Sequence, residues 1–274
     1  PGHPHARNSF RVRQPRMMGI EVDEQGLVVD AMPGVDYVFV TPSHQSPTTH
    51  TLSLERRQWL LRKAELQDFV IIEDDYEAEN LYQGSPMPAL KSLDRSGRVI
   101  YIGSLSKSLS PALRLGYIVA DPELIAELRG LRHAQVRHPS AFLQHAYALF
   151  LSLGHHESHA RKVNRIMHER LQRTVTALQR HMPGFRFQMP QGGASIWVEG
   201  PSWLDSAQLA DSARALGVLI EPGHVFYLRP PAPCPGFRLR LSSISGRQID
   251  AGVRALAQAV QQLAGAQGQV WPAR

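Results

Sequence analysis

The sequence has a single cysteine among its 274 residues, Cys234, so no disulfide can form within the chain and a reducing compartment is expected. No apolar run approaches the roughly 20 residues that cross a bilayer. The first residues, PGHPHARNSF, have neither the apolar core of a signal peptide nor the amphipathic pattern of a transit sequence, so a cytoplasmic, membrane-free protein is expected. Aromatic residues make up only 7%, and they do not interleave with basic residues as in a nucleic-acid stacking platform. The formal charge of +6 invites a nucleic-acid reading nonetheless. The lysines and arginines are spread through predicted helices such as ERRQWLLRK and HARKVNRIMHERLQR, mixed with acids, and are expected on solvated faces. No helix-turn-helix signature or zinc-ligand spacing is present, and GHHESH fails the HExxH pattern because residue 160 is alanine. His155 and His159 are expected to cap and solvate a helix start. There is no internal repeat, and the only biased tract is RPPAPCPG, which places Cys234 in a loop.

What is present is an ordered series of apolar runs. The hydrophobic content of 43% over this length is enough for a sizeable core and two lobes. Runs at MMGIEV (17–22), YVFVTPS (37–43), FVIIEDD (69–75), VIYIGSLS (99–106) and LGYIVA (115–120) read as buried strands. Between the second and third lies SLERRQWLLRKAEL, where Leu54, Trp59 (with Leu60 and Leu61) and Leu66 recur at helical spacing behind a capping Ser53. Strand, helix and strand in this order form the βαβ unit of a parallel sheet, whose ligands collect at the carboxyl ends of the strands. From about residue 122 helices dominate, with a long one through HARKVNRIMHERLQRTVTALQRHM, and then FRFQM, ASIWVEG, DSAQLADSARALG, VLIEPG, FRLRLSSIS and QIDAGVRALAQAVQQL form a compact α+β series. The expected division is 1–150 for a large α/β domain and 151–274 for the long helix with a smaller α+β domain.

The stretch GSLSKSLSPALRLGY (103–117) sets Lys107 on a short connection between two apolar strands, flanked by Ser104, Ser106 and Ser108, with Arg114 seven positions on. Glu73-Asp74-Asp75-Tyr76 ends the preceding strand, so a carboxylate and a lysine at adjacent strand ends can face one crevice. A lysine amine becomes a nucleophile when neutral. Bound as a Schiff base to pyridoxal phosphate, it needs a carboxylate on the pyridine nitrogen, and Asp74 can serve. Ser104, Ser106 and Arg114 offer the hydroxyls and planar cation that a phosphate takes. Simpler readings stand beside this one. The acidic triplet can be only a charged strand end, Tyr76 a core tyrosine with a satisfied hydroxyl, and Arg114 and Arg240 partners in ion pairs.

Four motifs in order, TPSHQSPTT, IIEDDYEAE, YIGSLSKSLSPALRLGY and FRLRLSSIS, resemble the fold-type I aminotransferase superfamily of pyridoxal-phosphate enzymes. More narrowly they resemble the effector domain of MocR-type regulators of the GntR family. The resemblance implies an α/β fold with a mainly parallel sheet in the large domain and a smaller α+β domain. It implies pyridoxal 5'-phosphate as cofactor, Lys107 as the lysine of the internal aldimine, and Asp74 on the pyridine nitrogen. Tyr76 and Gln45 fall near the 3-hydroxyl, Gln45 standing where aminotransferases usually have asparagine, and Ser104, Ser106 and Arg114 on the phosphate. His3 of PGHP takes the place of the aromatic that stacks on the ring, and Arg240 falls where an arginine receives the carboxylate of an amino-acid ligand. The winged helix and the first part of the large domain are expected to lie outside this chain, so that DNA is met only through the winged helix. A homodimer is implied as well. The leading function is an amino-acid- or amine-sensing domain of a transcription regulator. A catalytic aminotransferase, passing an amino group from an amino acid to a 2-oxo acid, is the alternative, and a homologue without cofactor remains open.

Overall fold

The computed structural model describes residues 16–77, 79–82 and 86–271; within these, the side chains of Ser106 and Ser108 are not described. The chain divides into two compact units. One takes in 20–45 and 50–165, and the other 166 onward together with 46–49 and the described residues before 20.

The first unit is built on a four-stranded sheet. Strands β3 (Tyr37–Val40), β4 (Val70–Asp75) and β5 (Val99–Ser104) are parallel, and β6 (Gly116–Val119) closes the edge antiparallel to β5. A small hairpin of β1 (Val22–Asp23) and β2 (Gly26–Leu27) precedes them. Helix α1 (Leu54–Gln67) starts where Ser53 accepts the N–H of Arg56 at 3.4 Å, and stops where Asp68 turns left-handed at φ 57°. Its Leu60, Leu61 and Ala64 are buried in one cluster with Val38, Val40, Phe69, Ile71 and Val99 of the sheet. This crossover between parallel neighbours is the expected βαβ unit.

Several expectations need correcting here. Leu60 and Leu61 are buried as expected, but Leu54 and Leu66 are exposed, and the buried stripe of α1 takes in Arg57 and Ala64 instead. Two cations read as solvated are interior. Arg57 is 0% exposed and donates to the carbonyls of Leu52, Pro88 and Pro42, while Lys63 donates to those of Val29 and Met32. Carbonyls at loop ends supply the acceptors that a buried cation needs. Residues 17–21 are not strand, because pairing begins at Val22. All four residues of β6 are exposed, not buried; among the described residues it pairs with β5 alone.

The short α2 (Leu90–Leu93) lies between β4 and β5 and α3 (Leu105–Ser108) between β5 and β6, while α4 (Pro122–Val136), α5 (Ala141–Ser152) and the long α6 (His155–His181) follow β6. The second unit carries an antiparallel sheet in the order β7 (Arg186–Phe187), β8 (Ser195–Glu199), β10 (Gly236–Arg240), β9 (Glu221–Pro222). Helices α7 (Ser206–Ala215) and α8 (Ile249–Ala266) accompany it. Leu209, Ile196, Val198, Phe237, Leu256 and Val260 are all at most 1% exposed and form its interior. The run VLIEPG contributes only Glu221 and Pro222 to the sheet. Cys234 lies in a loop, as expected, yet it is buried, and burial pushes its thiol up. No helix among the described residues is long and apolar enough to cross a membrane.

Candidate functional site

The three parallel strands end at one edge of their sheet, and each hands over to a segment rich in polar groups: Ser43-His44-Gln45 after β3, Tyr76-Glu77 after β4, and the Lys107 turn after β5. The parallel register sets Asp74 level with Ile102 and Asp75 level with Gly103. Lys107 follows in α3, a single helical turn, and is exposed. The connection thus opens on a helical turn.

Arg114 is brought back beside this turn by the pairing of β5 and β6. Ser104 faces Gly116, and the N–H of Leu105 donates to the carbonyl of Leu115 at 3.1 Å, so the segment carrying Lys107 and Arg114 is pinned at its base. Within it Ser110 caps a 3-10 turn at Pro111–Leu113, and Arg114 ends that turn in the left-handed region, at φ 50° and ψ 34°. A non-glycine residue held there is a small store of backbone strain. Gly103, just before Ser104, is needed for a steric reason: a Cβ on it would run into the ring of Tyr117.

The acidic triplet divides by strand alternation. Glu73 is 0% exposed and accepts the N–H groups of Leu90 and Lys91, both at 2.8 Å, with Arg57 3.9 Å away. Burial pushes its carboxyl up and those two hydrogen bonds pull it back. Asp75, on the same face, accepts the Tyr101 hydroxyl at 3.2 Å; burial raises its carboxyl, and hydrogen bonds from Ser43 and Tyr101 oppose the rise. Asp74 lies on the other face, half-buried. Burial, with the neighbouring Asp75 charge, pushes it up to about 6, and it has no hydrogen-bond or ion-pair partner among the described residues. Tyr76 donates its hydroxyl to the carbonyl of His44 at 3.0 Å. His44 is buried, and that burial pushes its imidazole down to about 4, so the ring is neutral. The N–H of Gln45 donates to the carbonyl of His50 at 2.8 Å, which closes the turn from Gln45 to His50. A small cavity lined by Asp75, Tyr76, Glu79, Ser104, Leu105 and Tyr117 opens here.

The structure thus gathers Asp74, Tyr76, Ser104, Lys107, Arg114 and Gln45 in one unit, at one sheet edge and its adjoining loops. The side chain of Ser106 and the whole of His3 lie outside the described residues. Arg240 belongs to the second unit, where its Nε lies 2.9 Å from Glu221 Oε1. Two contributors had no role assigned from the sequence, Arg57 and the His44 of the TPSHQ motif. Arg57 fixes the loop after β3 through Pro42, and the His44 carbonyl accepts the Tyr76 hydroxyl. The only available signal for Arg57 was its i, i+3, i+4, i+7 relation to Leu60, Leu61 and Ala64.

Residues 6–256 match the profile of the family described as aminotransferase class I and II. The chain is 41% identical over 261 residues to the HTH-type transcriptional regulator TauR of Rhodobacter capsulatus, covering 95% of this chain and 54% of TauR. It is 32% identical to the probable rhizopine catabolism regulatory protein MocR of Rhizobium meliloti, over 93% of this chain and 52% of that protein. The chain therefore spans about half the length of these curated relatives. Among solved structures, the α-aminoadipate aminotransferase LysN of Thermus thermophilus superimposes with a TM-score of 0.91 at 29% identity, covering 97% of this chain and 70% of that one. The fold is that of the fold-type I aminotransferases.

Proposed function

This chain belongs to the aminotransferase class I and II family, whose cofactor is pyridoxal 5'-phosphate, and we propose that it is the amino-acid- or amine-sensing domain of a transcription regulator. The observation that carries the reading is Asp74. Its half-buried carboxylate is raised to about 6 with no partner among the described residues, at the strand end next to the Lys107 turn. A cation set against it would return it to the ordinary carboxylate range, and the protonated pyridine ring of the cofactor is such a cation.

The residues present fit the group. When bound, pyridoxal phosphate supplies an electron sink for charge developing at the carbon next to the amine nitrogen. Lys107 Nζ holds it covalently. Asp74 keeps a proton on the ring nitrogen, and Tyr76 and Gln45 address the 3-hydroxyl. Ser104 and Arg114, with Ser106 beside them, hold the phosphate in a segment whose base is pinned by the β5–β6 pairing. His3 is proposed to lie over the ring. Arg240 receives the carboxylate of an amino-acid ligand. In this reading 1–150 forms part of the cofactor-binding domain and 151–274 the helix and smaller domain, the protein is a cytoplasmic homodimer, and DNA is met through a winged helix in a part of the relatives that this chain does not span.

The regulator reading is supported by the likeness to TauR and MocR. A catalytic aminotransferase is the second reading, supported by the superposition on LysN. Incubation of the cofactor-loaded protein with each common L-amino acid and 2-oxoglutarate separates them. Sensing predicts a change in the visible spectrum without net amino transfer; sustained glutamate formation establishes the enzyme instead. A spectrum that answers to no amino acid and no amine overturns the sensing reading.

A further inference from the structure

Glu221 stands opposite Arg238 in the antiparallel pairing of β9 and β10, and Arg240 lies two residues further along, so all three side chains share one face of the sheet. One carboxylate serves both arginines. Oε2 accepts from Arg238 Nε at 2.5 Å, and Oε1 sits 2.9 Å from Arg240 Nε. The two arginines differ in everything else. Arg238 is buried, with its guanidinium 4.8 Å above the Phe226 ring, and Phe226 in turn stands edge-on to Trp197 at 6.0 Å. The Phe226 ring on one face and the Glu221 carboxylate at its edge hold its orientation, and its charge is matched by Glu221. The Arg240 side chain is 43% exposed, and Glu221 is its only partner among the described residues. Gripped at Nε, it keeps its two terminal amino groups for another carboxylate.

We propose that Glu221 is a positioning residue for the carboxylate of the ligand: anchored by Arg238, it holds Arg240 so that the terminal edge of the guanidinium is presented. This rests on the reading of Arg240 as the ligand's carboxylate clamp. Charge supports it too. Two arginines and one glutamate leave a net charge of +1, matched to a single carboxylate, where the arginines alone would leave +2. A free arginine side chain samples many rotamers, and fixing it beforehand removes that ordering cost from binding.

The test is a spectroscopic titration of the intact, cofactor-loaded protein. The common L-amino acids are screened on the wild type, and the strongest is then compared with the amine that lacks its carboxyl group. Glu221→Gln, nearly identical in shape, is expected to weaken the amino acid about tenfold and leave the amine unchanged. Glu221→Asp, which keeps the charge but shortens the reach, is expected to show the same selective loss and serves if Glu221→Gln does not fold. Arg240→Lys tests the clamp itself and is expected to weaken the amino acid selectively as well. If Arg240→Lys does so while Glu221→Gln changes nothing, or tightens binding, Glu221 does not position Arg240 and the clamp stands. Equal loss for amino acid and amine in Glu221→Gln reveals a merely structural role and overturns the proposal. If Arg240→Lys leaves the amino acid unaffected, or no amino acid is bound by the wild type, the clamp falls and the proposal with it.

Discussion

Asp74 and Asp75 are neighbours in β4 and face opposite sides of its sheet: Asp75 takes a hydrogen bond from Tyr101, while Asp74 has no partner among the described residues and is pushed up to about 6. Alternation along one strand thus turns two identical side chains into a structural acid and an unpaired one. The unpaired one stands level with Ile102, five residues before Lys107.

The first prediction follows from that elevation. An acid whose folded-state pKa lies above its unfolded value binds its proton more tightly when folded, so it lowers stability as pH rises from about 4 to about 6, and the penalty is fully present above that window. Asp74→Asn removes it. The cofactor-free variant should be more stable than wild type at pH 7.5 by on the order of 1–3 kcal/mol, with the difference gone near pH 3.5. The same substitution should weaken retention of added pyridoxal phosphate. Urea unfolding at the two pH values and equilibrium dialysis read both effects; a variant less stable than wild type at pH 7.5 contradicts the unpaired state of Asp74.

Glu73 should behave in the opposite way. Glu73→Ala strands two backbone N–H groups and leaves the buried Arg57 without its acid. A loss of about 3–5 kcal/mol is expected, the scale of breaking a buried charged pair from one side. Chemical denaturation measures it, and a loss under 1 kcal/mol would show that the pair does not hold the β4 end in place.

Gly103 tests how the Lys107 segment is closed. Gly103→Ala puts a methyl group into the ring of Tyr117 and should cost about 1–3 kcal/mol. In a Tyr117→Ala background the same change should cost much less, because the clash is gone. A double-mutant cycle by thermal unfolding gives the coupling, and additive effects would contradict the contact.

Much of this was legible in the sequence because local pattern and fold agreed. The run VIIEDD and the helix behind Ser53 gave the parallel unit, and the strand-end rule set the acidic triplet and Lys107 at one edge. What was hidden depended on contacts distant in sequence. Arg57 looks like a surface cation, yet the carbonyls of Leu52, Pro42 and Pro88 receive it inside the unit. Ile118 and Val119 have the composition of a buried strand, but nothing local reveals that, among the described residues, β6 pairs with β5 alone. The sharing of Glu221 by Arg238 and Arg240 depends on the β9–β10 register, and the two-residue β9 has too little pattern to predict it.

The central claim is that Lys107 holds pyridoxal phosphate, and borohydride reduction of the cofactor-treated protein followed by peptide mapping tests it most directly. The account predicts a visible absorption band before reduction, a stable pyridoxyl label on the peptide containing Lys107, and loss of both in Lys107→Ala. A label on Lys63, Lys91 or Lys162 in place of Lys107, or a Lys107→Ala protein that keeps the band, would contradict it.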